Sequence, residues 1–339
     1  MLKDRSILIT GGTGSFGKRF IRELLREFPQ IKKIIIFSRD EFKQFQMQKE
    51  FPPERYPQMR FFLGDIRDKD RLYRAFEGVD YVVHTAALKQ VPILEYNPIE
   101  AVKTNILGVQ NIIEAAIDKG VKKVVALSTD KAVNPVNLYG ATKLAMEKLL
   151  VSANAYAGAK DTCFSVVRYG NVVGSRGSVI PFFKKLVEEG NKELPITDKR
   201  MTRFWITFDE AIDLVLFALS ESVGGEVFVP YIPSMRIVDL ARAVCPDCEL
   251  REIGIRPGEK LHETLVSEDE ARHTVKVKAN GKTYFVILPE MWFETKPLEK
   301  WGGGEKLPEG FIFRSDKNDW WLSVEDLRSM IDRLDIELA

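Results

Sequence analysis

Ser6-Ile7-Leu8-Ile9-Thr10-Gly11-Gly12-Thr13-Gly14-Ser15-Phe16-Gly17 decides the fold of this 339-residue chain. The run from Ser6 to Thr10 reads as a strand covered on both faces. Gly11, Gly14 and Gly17 follow in the spacing G-x-x-G-x-x-G, and Phe16 to Glu27 then has helical period. Glycine here permits a tight turn, close approach of a pyrophosphate and close strand–helix packing. The free N–H groups and dipole of a helix N-terminus receive phosphates. After the first strand of an α/β sheet, such a loop is a dinucleotide signal.

The sequence outward from this loop supports that setting. Lys33 to Ser38, Arg60 to Leu63, Tyr81 to His84, Lys123 to Ser128 and Phe164 to Arg168 read as further buried strands. Arg67 to Phe76, Ala101 to Lys119 and Leu138 to Ala157 read as the helices between them. The alternation predicts an α/β, doubly wound parallel sheet over residues 1–170. After about Asn171 the rhythm breaks into helices at Pro181 to Glu189, Asp209 to Ser220 and Val238 to Val244, with short strands such as Glu226 to Val229. Residues 171–339 are therefore expected to form a smaller substrate-binding lobe, partly interleaved with the first. Trp320 and Trp321 are expected to pack a closing helix, from Val324, against the body.

Lys and Arg total 50 against 49 Asp and Glu, which gives no reason to expect nucleic acid or an anionic membrane as partner. The apolar content is 45%, and no apolar run approaches the roughly 20 residues of a membrane span. Met1 to Arg5 leads into a strand without a signal-peptide pattern, so a cytoplasmic location is expected. The three cysteines make no disulfide framework, and Cys245-Pro-Asp-Cys248 lacks the partners of a zinc or redox site, so no metal is expected.

The end of the second strand selects the dinucleotide. Ser38 and Arg39, with Lys43 close by, suit the 2′-phosphate of NADP. Asp40 and Glu41 are the competing partners for an NAD ribose diol. Asp65 and Ile66 are placed for adenine, and Ala86 and Ala87 let the cofactor lie against the backbone. Thr13, Ser15 and Phe16 complete the glycine loop. Asn105 is read either as a cofactor contact or as a satisfied interior amide.

Tyr139 and Lys143 lie one helical turn apart on the same face. The ammonium is expected to lower the phenol pKa, and a phenolate beside a nicotinamide can take a proton from a sugar hydroxyl. Ser128-Thr129-Asp130-Lys131 adds an acid and a second amine that plain dehydrogenation does not require. The competing reading of Asp130 and Lys131 is a surface ion pair in a loop.

Thr10 to Gly17 with Tyr139 and Lys143 resembles an extended short-chain dehydrogenase/reductase of the Rossmann type, acting on a nucleotide sugar. Phe37 to Glu41, Ser128 to Lys131, Arg168-Tyr-Gly-Asn-Val172 and Arg256-Pro-Gly-Glu-Lys-Leu-His-Glu263 narrow the resemblance. Together they resemble the inverting UDP-N-acetylglucosamine 4,6-dehydratases (5-epimerising) of the pseudaminic acid pathway, over Ser6 to Val266 and Ser315 to Leu327. The resemblance implies that Tyr139 takes the 4-hydroxyl proton, Lys131 the hydrogen on carbon 5, and that Asp130 protonates the leaving 6-hydroxyl. Thr129 would bond the 4-oxygen. A lysine base must be neutral, so its ordinary pKa of about 10.4 is expected to be lowered by burial, Lys143 and Lys89. Related retaining dehydratases have Glu at this place.

The resemblance also puts Lys89 against cofactor and substrate, and Val172 against the cofactor. Asn171, Arg176, Ser178, Val179, Pro195, Thr197, Arg203, Arg256 and Glu259 would hold the UDP-sugar. NADP would stay tightly bound, because it is regenerated in each turnover. The alternatives are a retaining dehydratase, a 4-epimerase, or a cofactor-sensing regulator without turnover. Ala101 to Lys119 and Leu138 to Ala157 could pair between subunits as in relatives, giving a homo-oligomer.

Overall fold

A computed structural model of the chain describes residues 1–158, 160–175, 178–290 and 296–338. Strands β1 (Ser6–Thr10), β2 (Lys33–Ser38), β3 (Met59–Leu63), β4 (Tyr81–His84), β5 (Lys123–Thr129) and β6 (Cys163–Tyr169) are all parallel. Their spatial order is β3-β2-β1-β4-β5-β6, with α1 (Ser15–Glu27), α2 (Glu41–Glu50), α3 (Lys69–Ala75), α4 (Val91–Tyr96), α5 (Pro98–Val102), α6 (Gly108–Lys119) and α7 (Leu138–Tyr156) between strands. Every residue of β1 is buried, as the unbroken apolar run requires. On α1, Phe20, Ile21 and Leu24 are fully buried, each side chain contributing about 1.5–3 kcal/mol.

The break in rhythm after Asn171 does not end the sheet. Val227–Pro230 pairs parallel with β6, Lys282–Ile287 then pairs antiparallel, and Thr274–Ala279 and Glu305–Lys306 extend it to ten strands. A smaller core gathers Trp205, Met235, Leu240, Leu322, Leu327 and Ile331. The closing helix Val324–Leu338 is thus docked through Leu322, Leu327 and Ile331. Of the two tryptophans expected in that role, Trp320 packs on the Tyr231 ring and Trp321 lies under the Arg236 guanidinium.

Three other differences have local causes. Helix α2 was not foreseen because only Gln44 and Met47 turn inward while Phe42 and Phe45 are exposed, so the apolar period misleads. The single helix expected over Ala101 to Lys119 is interrupted by a π-helical turn at Lys103–Leu107, which carries Asn105. Cys245 and Cys248 form a disulfide at the end of the helix Ile237–Val244, although no disulfide was expected.

Candidate active site

The strand order reverses between β1 and β4, and ligands of such sheets bind beyond the strand ends at this point. A cleft of about 1010 Å³ opens there. Gly11, Thr13, Gly14, Ser15, Phe16 and Gly17 line its floor. Gly11 has φ +67°, and a Cβ on it would meet the Ala86 backbone at 2.9 Å. Both the turn and the close approach therefore need glycine. Gly14 begins α1 without a side-chain cap, leaving the first N–H groups of the helix for a phosphate.

Ser38, Arg39, Asp40, Lys43, Asp65 and Ile66 form one wall. Asp40 caps α2 by accepting from the Lys43 N–H at 2.9 Å and pairs with the Lys43 ammonium at 2.6 Å. Its carboxylate is thus engaged, while Arg39 faces Asp65 at 3.6 Å. Ala86, Ala87, Lys89, Asn171, Val172 and Ser178 line the cleft farther along. Loss of water around the ammonium, and then the Lys131 charge, lower the pKa of Lys89.

Asn105 does not line the cleft. Its amide accepts from Leu88 N–H at 2.9 Å and donates to Leu88 C=O at 2.9 Å and Thr142 Oγ1 at 3.0 Å. It is a satisfied interior amide that ties the Lys89 loop to α7, which corrects its reading as a cofactor contact.

The acid–base cluster grows out of β5. Thr129 Oγ1 donates to Asp130 Oδ1 at 2.8 Å, and Lys131 Nζ donates to the same oxygen at 3.0 Å. Asp130 is fully buried, and its Oδ2 has no hydrogen-bond partner. A surface ion pair is thereby ruled out. Asn137 Oδ1 caps α7 through Gly140 N–H at 2.8 Å, which fixes the first turn and the side chains of Tyr139 and Lys143. Thr129, Lys131, Tyr139 and Lys143 share the cleft wall with Tyr169.

Two electrostatic expectations are corrected. Burial opposes the Lys131 charge, but Asp130 and Glu263 outweigh it, so the pKa is raised rather than lowered. Burial pushes the Tyr139 phenol up to about 12; the Lys131 charge and a hydrogen bond with Thr129 act in the lowering direction. Lys143 is not the cation that acts on the phenol in this arrangement. Its ammonium donates to Leu127 C=O at 2.5 Å, and burial, against Glu147, takes it down to about 8.

The residues expected to hold the nucleotide lie on the second half of the chain. Among the described ones, only Asn171 and Ser178 line the cleft. Val179 packs beneath the helix it begins, and Pro195 lies in a strand paired with Glu249–Glu252. Thr197 Oγ1 donates to Met201 Sδ at 2.8 Å, and Arg203 donates to the carbonyls of Thr202 and Leu261 at 2.7 and 3.1 Å. Arg256 faces Glu259 at 4.0 Å. Arg176 lies outside the described residues.

Two buried charges, Arg168 and Glu147, with the half-buried Glu270, were not foreseen. Arg168 bonds Glu147 at 2.5 Å, Glu270 at 2.8 Å and Leu265 C=O at 2.8 Å, and Ser128 Oγ also donates to Glu147. This triad joins β6 and α7 to the short helix Glu268–Ala271, and Ser128 ties it to β5. Glu147 stands four residues past Lys143 on the face that buries Leu150, so a carboxylate at that spacing was the available signal. His84, held neutral with its pKa lowered to about 3 by burial and Lys143, bonds Thr10 Oγ1 at 2.8 Å behind the glycine loop.

The sheet, the glycine loop and the Tyr139–Lys143 pair together define an extended short-chain dehydrogenase/reductase. Within that class, the chain belongs to the family described as polysaccharide biosynthesis protein, which matches residues 7–284. It is 53% identical to a Campylobacter jejuni protein named UDP-N-acetylglucosamine 4,6-dehydratase (inverting), over 98% of each chain. It is also 45% identical to a Rickettsia massiliae protein named UDP-glucose 4-epimerase, over 99% of this chain and 97% of that one. The X-ray structure of Pen from Bacillus thuringiensis matches with a TM-score of 0.87 at 39% identity, over 98% of this chain and 99% of that one. A Streptomyces venezuelae dTDP-glucose 4,6-dehydratase double mutant with NAD bound matches with a TM-score of 0.65 at 25% identity, over 75% of this chain and 86% of that one.

Proposed function

We propose that the chain is an NADP-dependent UDP-N-acetylglucosamine 4,6-dehydratase that inverts carbon 5, forming UDP-2-acetamido-2,6-dideoxy-β-L-arabino-hex-4-ulose. The observation that carries this reading is the Asp130–Lys131 pair, with Asp130 fully buried and Lys131 in the cleft wall, beside Tyr139 at the end of β5. The likeness to the Campylobacter jejuni dehydratase over nearly the whole chain supports it. The uncapped start of α1 and the close Gly11–Ala86 approach fit a dinucleotide, and Ser38 and Arg39, with Asp40 engaged as a cap, favour its 2′-phosphate form. The chemistry that bound NADP supplies is acceptance of a hydride from carbon 4 and its return at carbon 6.

The chain's own groups move the protons. Tyr139 Oη takes the 4-hydroxyl proton, with the Lys131 charge and Thr129 easing ionisation of the buried phenol. The 4-ketone acidifies carbon 5, Lys131 Nζ removes that proton, and Asp130 protonates the departing 6-hydroxyl. Reprotonation of carbon 5 from the opposite face gives the inversion. Asn171, Arg176, Ser178, Val179, Pro195, Thr197, Arg203, Arg256 and Glu259 would bind the UDP portion, with Lys89 between cofactor and sugar.

The Rickettsia massiliae relative favours a second reading, 4-epimerisation. That reaction loses no water and has no use for an acid and a base at carbons 5 and 6. Proton NMR with UDP-N-acetylglucosamine in deuterated buffer, without added cofactor, separates the two. A 4-keto-6-deoxy L-arabino product with deuterium at carbon 5 supports inverting dehydration and a retained cofactor. A D-xylo product overturns the inversion, and a 4-epimer overturns the dehydration.

Product use in pseudaminic acid synthesis, a cytoplasmic location and a homo-oligomer belong to the same proposal. Among the described residues, no helix is long and apolar enough to cross a membrane. Ile93, Tyr96, Ile99, Leu107 and Tyr156 expose apolar surface on or beside the helices expected to pair, which favours association of subunits.

A further inference from the structure

We propose that Glu263 is a positioning residue for Lys131, supplying the counter-charge for the ammonium that forms when Lys131 takes the carbon-5 proton. The inference rests on the dehydratase reading above. Glu263 is only 2% exposed, yet both of its oxygens face amines. Oε1 lies 3.5 Å from Lys131 Nζ and Oε2 3.6 Å from Lys260 Nζ, and Oε2 has no hydrogen-bond partner. The backbone is clamped: Glu263 N–H donates to Ser315 Oγ at 3.0 Å, and its C=O accepts from Ser315 N–H at 2.8 Å. Lys260 is anchored in turn through the carbonyl of Val133 at 2.5 Å. A carboxylate so buried is costly unless cations face it, and this one is rigidly held to face two.

The proton account explains the need. At rest, Lys131 is an ammonium hydrogen-bonded to the Asp130 carboxylate at 3.0 Å. Dehydration needs the opposite arrangement, a free amine on Lys131 and an acid on Asp130. Transfer of one proton from Nζ to Oδ1 along that bond produces both without changing the charge of the cluster. Lys131 then removes the carbon-5 proton: the C–H bond breaks, its electron pair stays on the sugar as the enolate, and an N–H bond forms. Asp130 is neutral at that moment, so Glu263 is the carboxylate facing the new ammonium. The Asp130 proton then goes to the 6-hydroxyl, which leaves as water. Lys89, Arg203 and Lys260 are cations near Lys131, and Tyr139, ionised before the hydride step, is neutral again once it holds the 4-hydroxyl proton. The two oxygens of Glu263 are turned to Lys131 and Lys260, so it acts through Lys131 and not on the sugar.

The test uses Glu263→Gln and Glu263→Asp with UDP-N-acetylglucosamine in deuterated buffer, following absorbance of the reduced cofactor and deuterium at carbon 5. In Glu263→Gln the carbon-5 labelling rate should fall on the order of 10²-fold, the lower range for a general acid–base contribution. Reduced cofactor should still form to the same extent, because in that step Lys131 removes no proton and keeps its charge beside Asp130. Glu263→Asp should recover part of the labelling rate. Unchanged labelling, or equal loss of both steps, overturns the assignment. If Glu263→Gln does not fold, Glu263→Asp carries the test: selective loss of labelling supports the assignment and equal loss overturns it. Absence of a 4-keto product from the unaltered protein overturns the dehydratase reading itself.

Discussion

Gly140 lies between Tyr139 and Lys143 in the first turn of α7, and it sets how close that helix comes to the acid–base turn. A Cβ added there would overlap the Lys131 carbonyl oxygen and crowd Pro135 Cβ at 3.0 Å. Two effects of Gly140→Ala oppose each other in stability. Alanine gains about 1 kcal/mol in helix propensity, and the overlap costs about 1–3 kcal/mol as overpacking. The net change in a denaturant melt should therefore be small and destabilising. The effect on rate should be much larger. The Lys131 backbone has to recede by roughly 1 Å, and a misplacement of that size at a reacting group costs about 10²-fold in kcat. Cofactor affinity should be preserved, because the glycine loop and the end of β2 lie away from the overlap. Steady-state formation of the 4-keto product, with cofactor titration alongside, measures both. A Gly140→Ala protein that keeps the original kcat would refute the claim that this contact fixes Lys131.

Three further outcomes follow from the buried charges and the cofactor wall. His84 binds no proton in the native state until pH falls to about 3, whereas the unfolded chain protonates it from its ordinary value of 6.5. Stability is therefore lost as pH falls below 6.5, by about 2 kcal/mol at pH 5; His84→Gln should lose that much less between pH 7 and pH 5 in urea melts, and equal losses would contradict it. Arg168→Leu leaves Glu147 buried without its cation and should cost about 3–5 kcal/mol. Adding Glu147→Leu should restore much of that, as read by thermal melting. Arg39→Ala should weaken NADP by on the order of tenfold, within the range of a charged hydrogen bond, and leave NAD affinity unchanged; equal loss for both cofactors would remove Arg39 as the selector.

The parts of the fold most legible in the sequence were those whose information is local. β1, β2 and β4 appear at the residues read from their unbroken apolar runs, and the glycine loop lines the cleft as its spacing suggests. Helix α2 was illegible because its exposed Phe42 and Phe45 invert the usual pattern. The π-turn at Lys103–Leu107 was hidden because its register serves Asn105, whose partners Leu88 and Thr142 are distant in sequence. Asp130, Lys131, Tyr139 and Lys143 were visible as a motif, but their protonation was not. Asp130 and then Glu263 raise the pKa of Lys131, and no spacing rule links Lys131 to Glu263 so far along the chain. Arg168 was quoted only as part of a motif, since a guanidinium reads as a surface group until Glu147 and Glu270 are seen around it.

The strand Val227–Pro230 completes β6 on its far side, so the two halves of the chain share a single hydrogen-bonded ladder. Severing the polypeptide near residue 170 would not release two self-sufficient pieces. The front piece would present the unpaired rim of β6 to solvent, with Val166 and Val167 stripped of their neighbours, a surface that invites self-association. The same ladder resists a hinge between the halves, since opening one would tear main-chain bonds in the interior. Any opening of the cleft is then left to the segments beyond the strand tips.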